Sequence, residues 1–143
     1  MTSYKSDMWF GARTGNGRVL VVDDEPLVRN VVRMTLEKAG YEVLEAENGE
    51  KAIKAINADE NPLVLDLVIC DIRMPKINGV EAIDYFRREY PHVSLIVLTG
   101  YPDTNMAVSF MRQGVDYLIK PVEAQKLIAA VAEAMDRRNL ARV

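Results

Sequence analysis

Asp23, Asp24, Asp71, Thr99 and Lys120 each stand at the end of a short apolar run with strand character. The Asp pair closes Val19–Val22, Asp71 closes Leu67–Cys70, Thr99 closes Leu95–Leu98, and Lys120 follows Tyr117–Ile119. In an open parallel sheet, ligands bind outside the carboxyl ends of the strands, where strand order reverses. Three carboxylates, a hydroxyl and an ammonium gathered there suit a hard divalent cation and a phosphoryl group. Adjacent carboxylates must be neutralised or take up protons. Mg2+ neutralises them through one or two direct carboxylates and keeps several waters. One oxygen of Asp71 then stays free to attack phosphorus, as carboxylate nucleophiles do. The cation and Lys120 would offset charge on the transferring group. The Thr99 hydroxyl can donate to a phosphoryl oxygen, and Gly100 leaves room for a phosphodonor.

Positioning these residues takes five alternations of strand and helix after Gly17. The run Val19–Val22 is apolar on both faces, as a strand covered by helices on each side should be. Asp24-Glu25-Pro26 reads as a helix start, with proline in the first turn and acids at the positive end of the helix. Leu27, Val28, Val31, Val32, Leu36 and Ala39 follow at helical spacing, and Gly40 stops the helix. Residues 41–46 alternate and read as an edge strand. Asn48-Gly49 opens a short helix carrying Ala52, Ile53 and Ile56. Between Asn57 and Leu65 the pattern is ambiguous, since Leu63-Val64-Leu65 fits either a loop or the start of the third strand, placed at Leu67–Cys70. Asn78 caps a third helix with Val80, Ile83 and Phe86, ending near Tyr90 before Pro91. Asp103 or Thr104 starts a fourth, with Met106, Ala107, Phe110 and Met111 expected inward and Gly114 as its stop. After Pro121 a fifth helix carries Leu127, Ile128, Val131 and Met135. Such alternation predicts an α/β fold with a parallel sheet and right-handed crossovers.

The bulk properties narrow the class. A chain of 143 residues fits one domain, and 49% hydrophobic with 27% charged residues of mixed sign is ordinary for a globular protein. A net charge of -3 argues against direct nucleic-acid binding. No apolar run reaches bilayer length, so no membrane partner is expected. The single cysteine, Cys70, excludes an internal disulfide and fits a reducing, cytoplasmic setting. Residues 1–17 read as a flexible extension whose patch Met8-Trp9-Phe10 could dock on the domain or on a neighbouring chain. The folded unit is expected over 18–139, with a tail at 140–143.

Four motifs in order carry a resemblance: Val21-Val22-Asp23-Asp24-Glu25, Asp71-Ile72-Arg73-Met74-Pro75-Lys76-Ile77-Asn78-Gly79, Thr99-Gly100 and Lys120-Pro121. From about Arg18 to the last helix the chain resembles the receiver domain of two-component response regulators, including chemotaxis regulators. That resemblance implies a flavodoxin-like, doubly wound (βα)5 fold whose five-stranded parallel sheet has order 2-1-3-4-5. It implies that Asp71 accepts phosphate from the phosphohistidine of a sensor histidine kinase or phosphotransfer protein. Mg2+, with Mn2+ as an alternative, would be held by Asp24 directly, Asp23 largely through water, Asp71 and the backbone carbonyl of Arg73. Thr99 and Lys120 would bind the phosphoryl group. Tyr117 would turn inward as Thr99 moves, switching the face of the fourth helix, fifth strand and fifth helix for a downstream output domain, a partner protein or a second copy of the chain. The Lys120-Pro121 bond would be cis. The bulky pair Arg73 and Tyr101, two residues past Asp71 and Thr99, implies slow self-dephosphorylation.

Each feature also has a plainer reading. Asp24 beside Pro26 could be only a helix cap, Thr99 a satisfied hydroxyl, Lys120 a solvated charge and Tyr117 a core tyrosine. His92 has no second His or Cys near it in sequence. Cys70 reads as a small buried apolar group. Gly15 and Gly17 precede the first strand and no Gly-Lys-Ser/Thr follows, so a phosphate loop is not supported. Three alternatives remain beside the signalling phosphoacceptor, which is expected not to turn over an external substrate. They are a metal-dependent phosphatase working through an Asp71 aspartyl phosphate, a flavodoxin-like cofactor binder, and a non-phosphorylated interaction domain. No output domain follows the fifth helix, which leaves a stand-alone receiver or one excised from a longer regulator or hybrid kinase.

Overall fold

The computed structural model describes residues 15–74 and 78–142. The patch Met8-Trp9-Phe10 and the Pro75-Lys76-Ile77 part of the Asp71 motif lie outside the described residues. Five parallel strands, β1 (Arg18–Val22), β2 (Glu42–Ala46), β3 (Leu67–Cys70), β4 (Ser94–Thr99) and β5 (Asp116–Ile119), lie in the order β2-β1-β3-β4-β5. Between and after them run α1 (Pro26–Lys38), α2 (Gly49–Asn57), α3 (Asn61–Val64), α4 (Gly79–Glu89), α5 (Thr104–Arg112) and α6 (Ala124–Arg142). The fold is the expected flavodoxin-like α/β architecture, with β2 at one edge.

Side-chain alternation along the strands divides the core in two. Leu20, Val22, Val68, Cys70, Leu95 and Val97 pack on one face with Ala52 and Ile56 of α2, Ala82, Ile83 and Phe86 of α4, and Phe110 of α5. Val19, Val21, Leu67, Ile69, Ile96 and Leu98 pack on the other with Val32 and Leu36 of α1 and Leu127, Val131, Ala134 and Met135 of α6. Every residue of β3 is buried, which is why that run is apolar without a break.

Helix ends follow local chemistry. The side chains of Asn48, Asn78 and Asp103 accept from the amides of Lys51, Glu81 and Met106 at 2.8, 3.0 and 3.0 Å, capping α2, α4 and α5. Gly40 and Gly114, at φ +96° and +79°, take the left-handed turn just past α1 and α5.

Two expectations need correction. Leu63 and Val64 belong neither to a loop nor to β3 but to the additional short helix α3, with Leu63 80% exposed and Leu65 buried. The strand begins only after Asp66. The buried carboxylate of this residue accepts the Arg18 amide at 2.9 Å, while its carbonyl accepts the Ser94 amide at 3.0 Å. Arg18 in turn donates to Glu60 and Asn61, fastening α3 beside the start of β1. Because α3 intervenes, the face expected from the fourth helix, fifth strand and fifth helix is made by α5, β5 and α6. Met111, expected inward, is 66% exposed; it lies one residue past buried Phe110, about 100° around the helix. No helix among the described residues is long and apolar enough to cross a membrane.

Candidate functional site

Strand register sets the site. Val22 pairs with Cys70 and Cys70 with Val97, so Asp23 and Asp71 leave adjacent strands at the same level, and the Asp71 amide donates to the Val22 carbonyl at 2.9 Å. Thr99 pairs with Ile119, and the Lys120 amide donates to the Thr99 carbonyl at 2.8 Å. The sheet therefore brings all five sequence-predicted polar residues to one edge.

Burial separates their roles. Asp23, Asp71 and Thr99 are buried and Asp24 is exposed. One carboxylate oxygen from each of Asp23, Asp24 and Asp71 lies within 4.8 Å of the other two. The Lys120 ammonium reaches Asp23 Oδ2 at 2.8 Å, Glu25 Oε1 at 2.8 Å and Asp71 Oδ2 at 3.1 Å. The other oxygens of the two buried carboxylates are held by the chain: Asp23 Oδ1 accepts the Glu25 amide at 2.9 Å, and Asp71 Oδ1 accepts the Arg73 amide at 3.0 Å.

Charge is unbalanced here. Burial pushes the Asp23 carboxyl above its ordinary range; the Lys120 hydrogen bond and the Glu25 amide pull it down only in part, and Asp71 adds repulsion. Burial alone would lower Lys120, but its bonds to Asp23, Glu25 and Asp71 outweigh this and hold the ammonium well above ordinary lysine. Cys70 is driven up by burial, then by Asp71 and Asp23, so it stays a thiol, in keeping with its core position. Asp23, Asp24 and Asp71 together offer an all-oxygen donor set of the kind that fits a hard divalent cation.

Around the site, Thr99 Oγ1 accepts the Tyr101 amide at 3.0 Å. The Tyr117 hydroxyl accepts the Asp103 amide at 3.1 Å, and its ring stacks on Phe110 at 6.4 Å. The Lys120-Pro121 bond is cis. Gly79 opens α4 directly against the loop after β3, where a Cβ would lie 2.1 Å from the Asp71 carbonyl oxygen. A cavity of about 660 Å³ opens from the acids, with Val28, Val32, Leu98 and Val122 among its apolar walls. Asp24 does not cap α1. The N-cap is Glu25, whose side chain makes no cap bond and turns to Lys120.

Two contributors escaped the sequence reading. Glu25 reads from sequence only as an acid at the positive end of α1, and the signal for more is its place as third acid in the Asp23-Asp24-Glu25 run. Arg29 donates to the Asp23 carbonyl at 2.7 Å and to Glu45 at 3.0 Å, tying the acid loop to β2. An arginine one turn into a helix carries no signal of that kind.

A five-stranded sheet in this order, with acids, threonine and lysine at its carboxyl edge, defines a class. Residues 19–132 match the family model described as the response regulator receiver domain, and the chain belongs to that family, the receiver domains of two-component response regulators. Its similar proteins include the transcriptional regulatory protein ZraR of Klebsiella oxytoca, 33% identical over 123 residues, which cover 85% of this chain and 27% of ZraR. The response regulator protein FleR of Pseudomonas aeruginosa is 34% identical over 116 residues, covering 80% of this chain and 24% of FleR. The chain thus spans about a quarter of the length of these two curated relatives. A response regulator receiver domain protein from Clostridium thermocellum superposes with a TM-score of 0.81 at 35% identity, covering 88% of this chain and 99% of that one.

Proposed function

We propose that Asp71 is the phosphoacceptor of a two-component phosphorelay. The observation that carries this reading is the convergence of buried Asp71 with Asp23, Asp24, Thr99 and Lys120 at one sheet edge. An Asp71 carboxylate oxygen attacks the phosphorus of a phosphohistidine. The P–N bond breaks, and its electron pair stays on the imidazole nitrogen. Lys120 binds a phosphoryl oxygen and offsets its charge, and Thr99 donates to another. Asp23, Asp24, Asp71 and the Arg73 carbonyl would hold Mg2+ or Mn2+, which when bound would supply the remaining charge neutralisation.

Two hydrogen bonds near the site support a switch. To reach a phosphoryl oxygen, Thr99 gives up the Tyr101 amide, and Tyr117 can then leave Asp103 and repack the α5–β5–α6 face. Val108, Met111 and Ile119, all partly exposed, offer apolar contacts there for an output domain, a partner protein or a second copy. This is a local charge change biasing a two-state surface.

The donor needs its own seat. Leu27, Val31 and Met34 are 81%, 61% and 54% exposed at positions i, i+4 and i+7 of α1, one stripe beside the cavity that reaches Asp71. A helical segment of a histidine kinase or phosphotransfer protein, packed on this stripe, brings its histidine to the acid site.

Incubation with acetyl phosphate and Mg2+, read by intact mass, tests the reading. One added phosphate is expected in wild type and none in Asp71→Ala. An adduct that persists without Asp71, or never forms in wild type, overturns it.

A further inference from the structure

An ammonium has three N–H donors, and those of Lys120 are taken by Asp23, Asp71 and Glu25 at 2.8, 3.1 and 2.8 Å. An incoming phosphoryl oxygen can reach Lys120 only if one of these carboxylates lets go. Asp23 and Asp71, whose side chains are 3% and 6% exposed, are also fixed by the amides of Glu25 and Arg73, so neither can swing away from Lys120. Glu25 is 60% exposed and exchanges its ammonium for water at little cost.

We propose that Glu25 is an internal competitor for the phosphoryl group: its carboxylate occupies the one N–H of Lys120 that an arriving phosphoryl oxygen must take. The inference rests on the reading of Asp71 as acceptor and adds a control to that site. Glu25 is a positioning residue acting through Lys120, to which it reaches across 95 positions of sequence. Its side chain has no other structural duty in the helix start. It makes no cap bond, and the bonds of its amide to Asp23 and of its carbonyl to Arg29 are backbone bonds that a substitution leaves in place.

The alternative explanation is simple repulsion between the Glu25 charge and an anionic ligand. Two substitutions separate the two. Glu25→Gln removes the charge but keeps the reach, whereas Glu25→Asp keeps the charge but is one methylene too short to stay on Lys120. The probe is beryllofluoride, a phosphoryl mimic, titrated into the protein with Mg2+ and followed by 19F NMR of the bound fluorides. Both variants are expected to bind it roughly two- to five-fold more tightly than wild type, the range an exposed ion pair contributes. Glu25→Asp at wild-type affinity overturns the proposal, whatever Glu25→Gln does, because charge alone then accounts for the effect. Failure of the underlying reading has a different signature: wild type fails to bind, or Asp71→Asn binds as well as wild type.

Discussion

The guanidinium of Arg73 lies over the ring of Tyr101, its central carbon 4.2 Å from the ring centroid. The two residues come from the loops that follow β3 and β4, and both line the cavity that reaches Asp71. Their stacking joins the two lips of the site, and a cation–π contact of this kind contributes about 0.5–1 kcal/mol at an exposed position. With Asp71 phosphorylated as proposed, this bridge would stand beside the acceptor and hinder attack by water. Slow self-dephosphorylation is therefore predicted. Replacing both residues by small polar ones should raise the rate of phosphate loss roughly ten-fold, a change of about 1.4 kcal/mol in the barrier. Phosphate release after removal of the donor measures it. An unchanged rate would remove the bridge from the mechanism.

The acid site also predicts a pH dependence of stability. Because burial raises Asp23 above its ordinary 3.8, the folded protein binds more protons there than the unfolded chain between the two values. Stability contributed by this group therefore falls as pH rises from 3.8 through the raised value and stays low beyond it. Lys120 behaves in the opposite range: its contribution is complete below its ordinary 10.5 and is lost as pH climbs above that. Urea denaturation of wild type and Asp23→Asn between pH 4 and 7, without divalent cations, isolates the acid effect. The wild type should lose ground to the variant as pH rises. Saturating Mg2+ should remove most of the difference by binding the folded state only.

Gly79 tests how tightly the loop after β3 is built. A Cβ there would sit 2.1 Å from the Asp71 carbonyl oxygen and 2.3 Å from the Ile72 Cα, both backbone atoms that cannot swing aside. Gly79→Ala should cost roughly 1–3 kcal/mol, the usual range for overpacking. It should also weaken Mg2+ binding at the proposed site, because relieving the clash shifts Asp71. Denaturant midpoints with and without Mg2+ separate the two effects.

The strands and most helices were legible because their physics is local. The paired faces Leu20–Val22 and Val19–Val21 follow from a period of two, Asn48 and Asn78 are caps that sequence alone reveals, and of the two starts it offers for the next helix the cap is Asp103, not Thr104. Strand order was not local, and came only with the family resemblance carried by the four motifs. Leu63-Val64-Leu65 misled because three apolar residues contain too little period to separate a helical turn from a strand. The Glu25–Lys120 pair was invisible for another reason. Nothing near Glu25 in sequence competes with its role at a helix start, and its partner arrives only when β5 docks beside β4.

The α1 stripe yields the last prediction. Leu27, Val31 and Met34 are too exposed to contribute much to the core, so charging them should leave stability within about 0.5 kcal/mol of wild type. If the donor packs there, Leu27→Glu with Met34→Glu, both outside the lining of the cavity, leaves two apolar anchors unmade and buries charge against a protein partner. Each lost anchor of this kind typically costs more than about 1 kcal/mol of binding. Phosphotransfer from a histidine kinase or phosphotransfer protein should therefore slow at least ten-fold. Acetyl phosphate needs no such seat and should still phosphorylate the variant at the wild-type rate. Equal slowing with both donors would place the damage at Asp71 itself and exclude the stripe as the docking face.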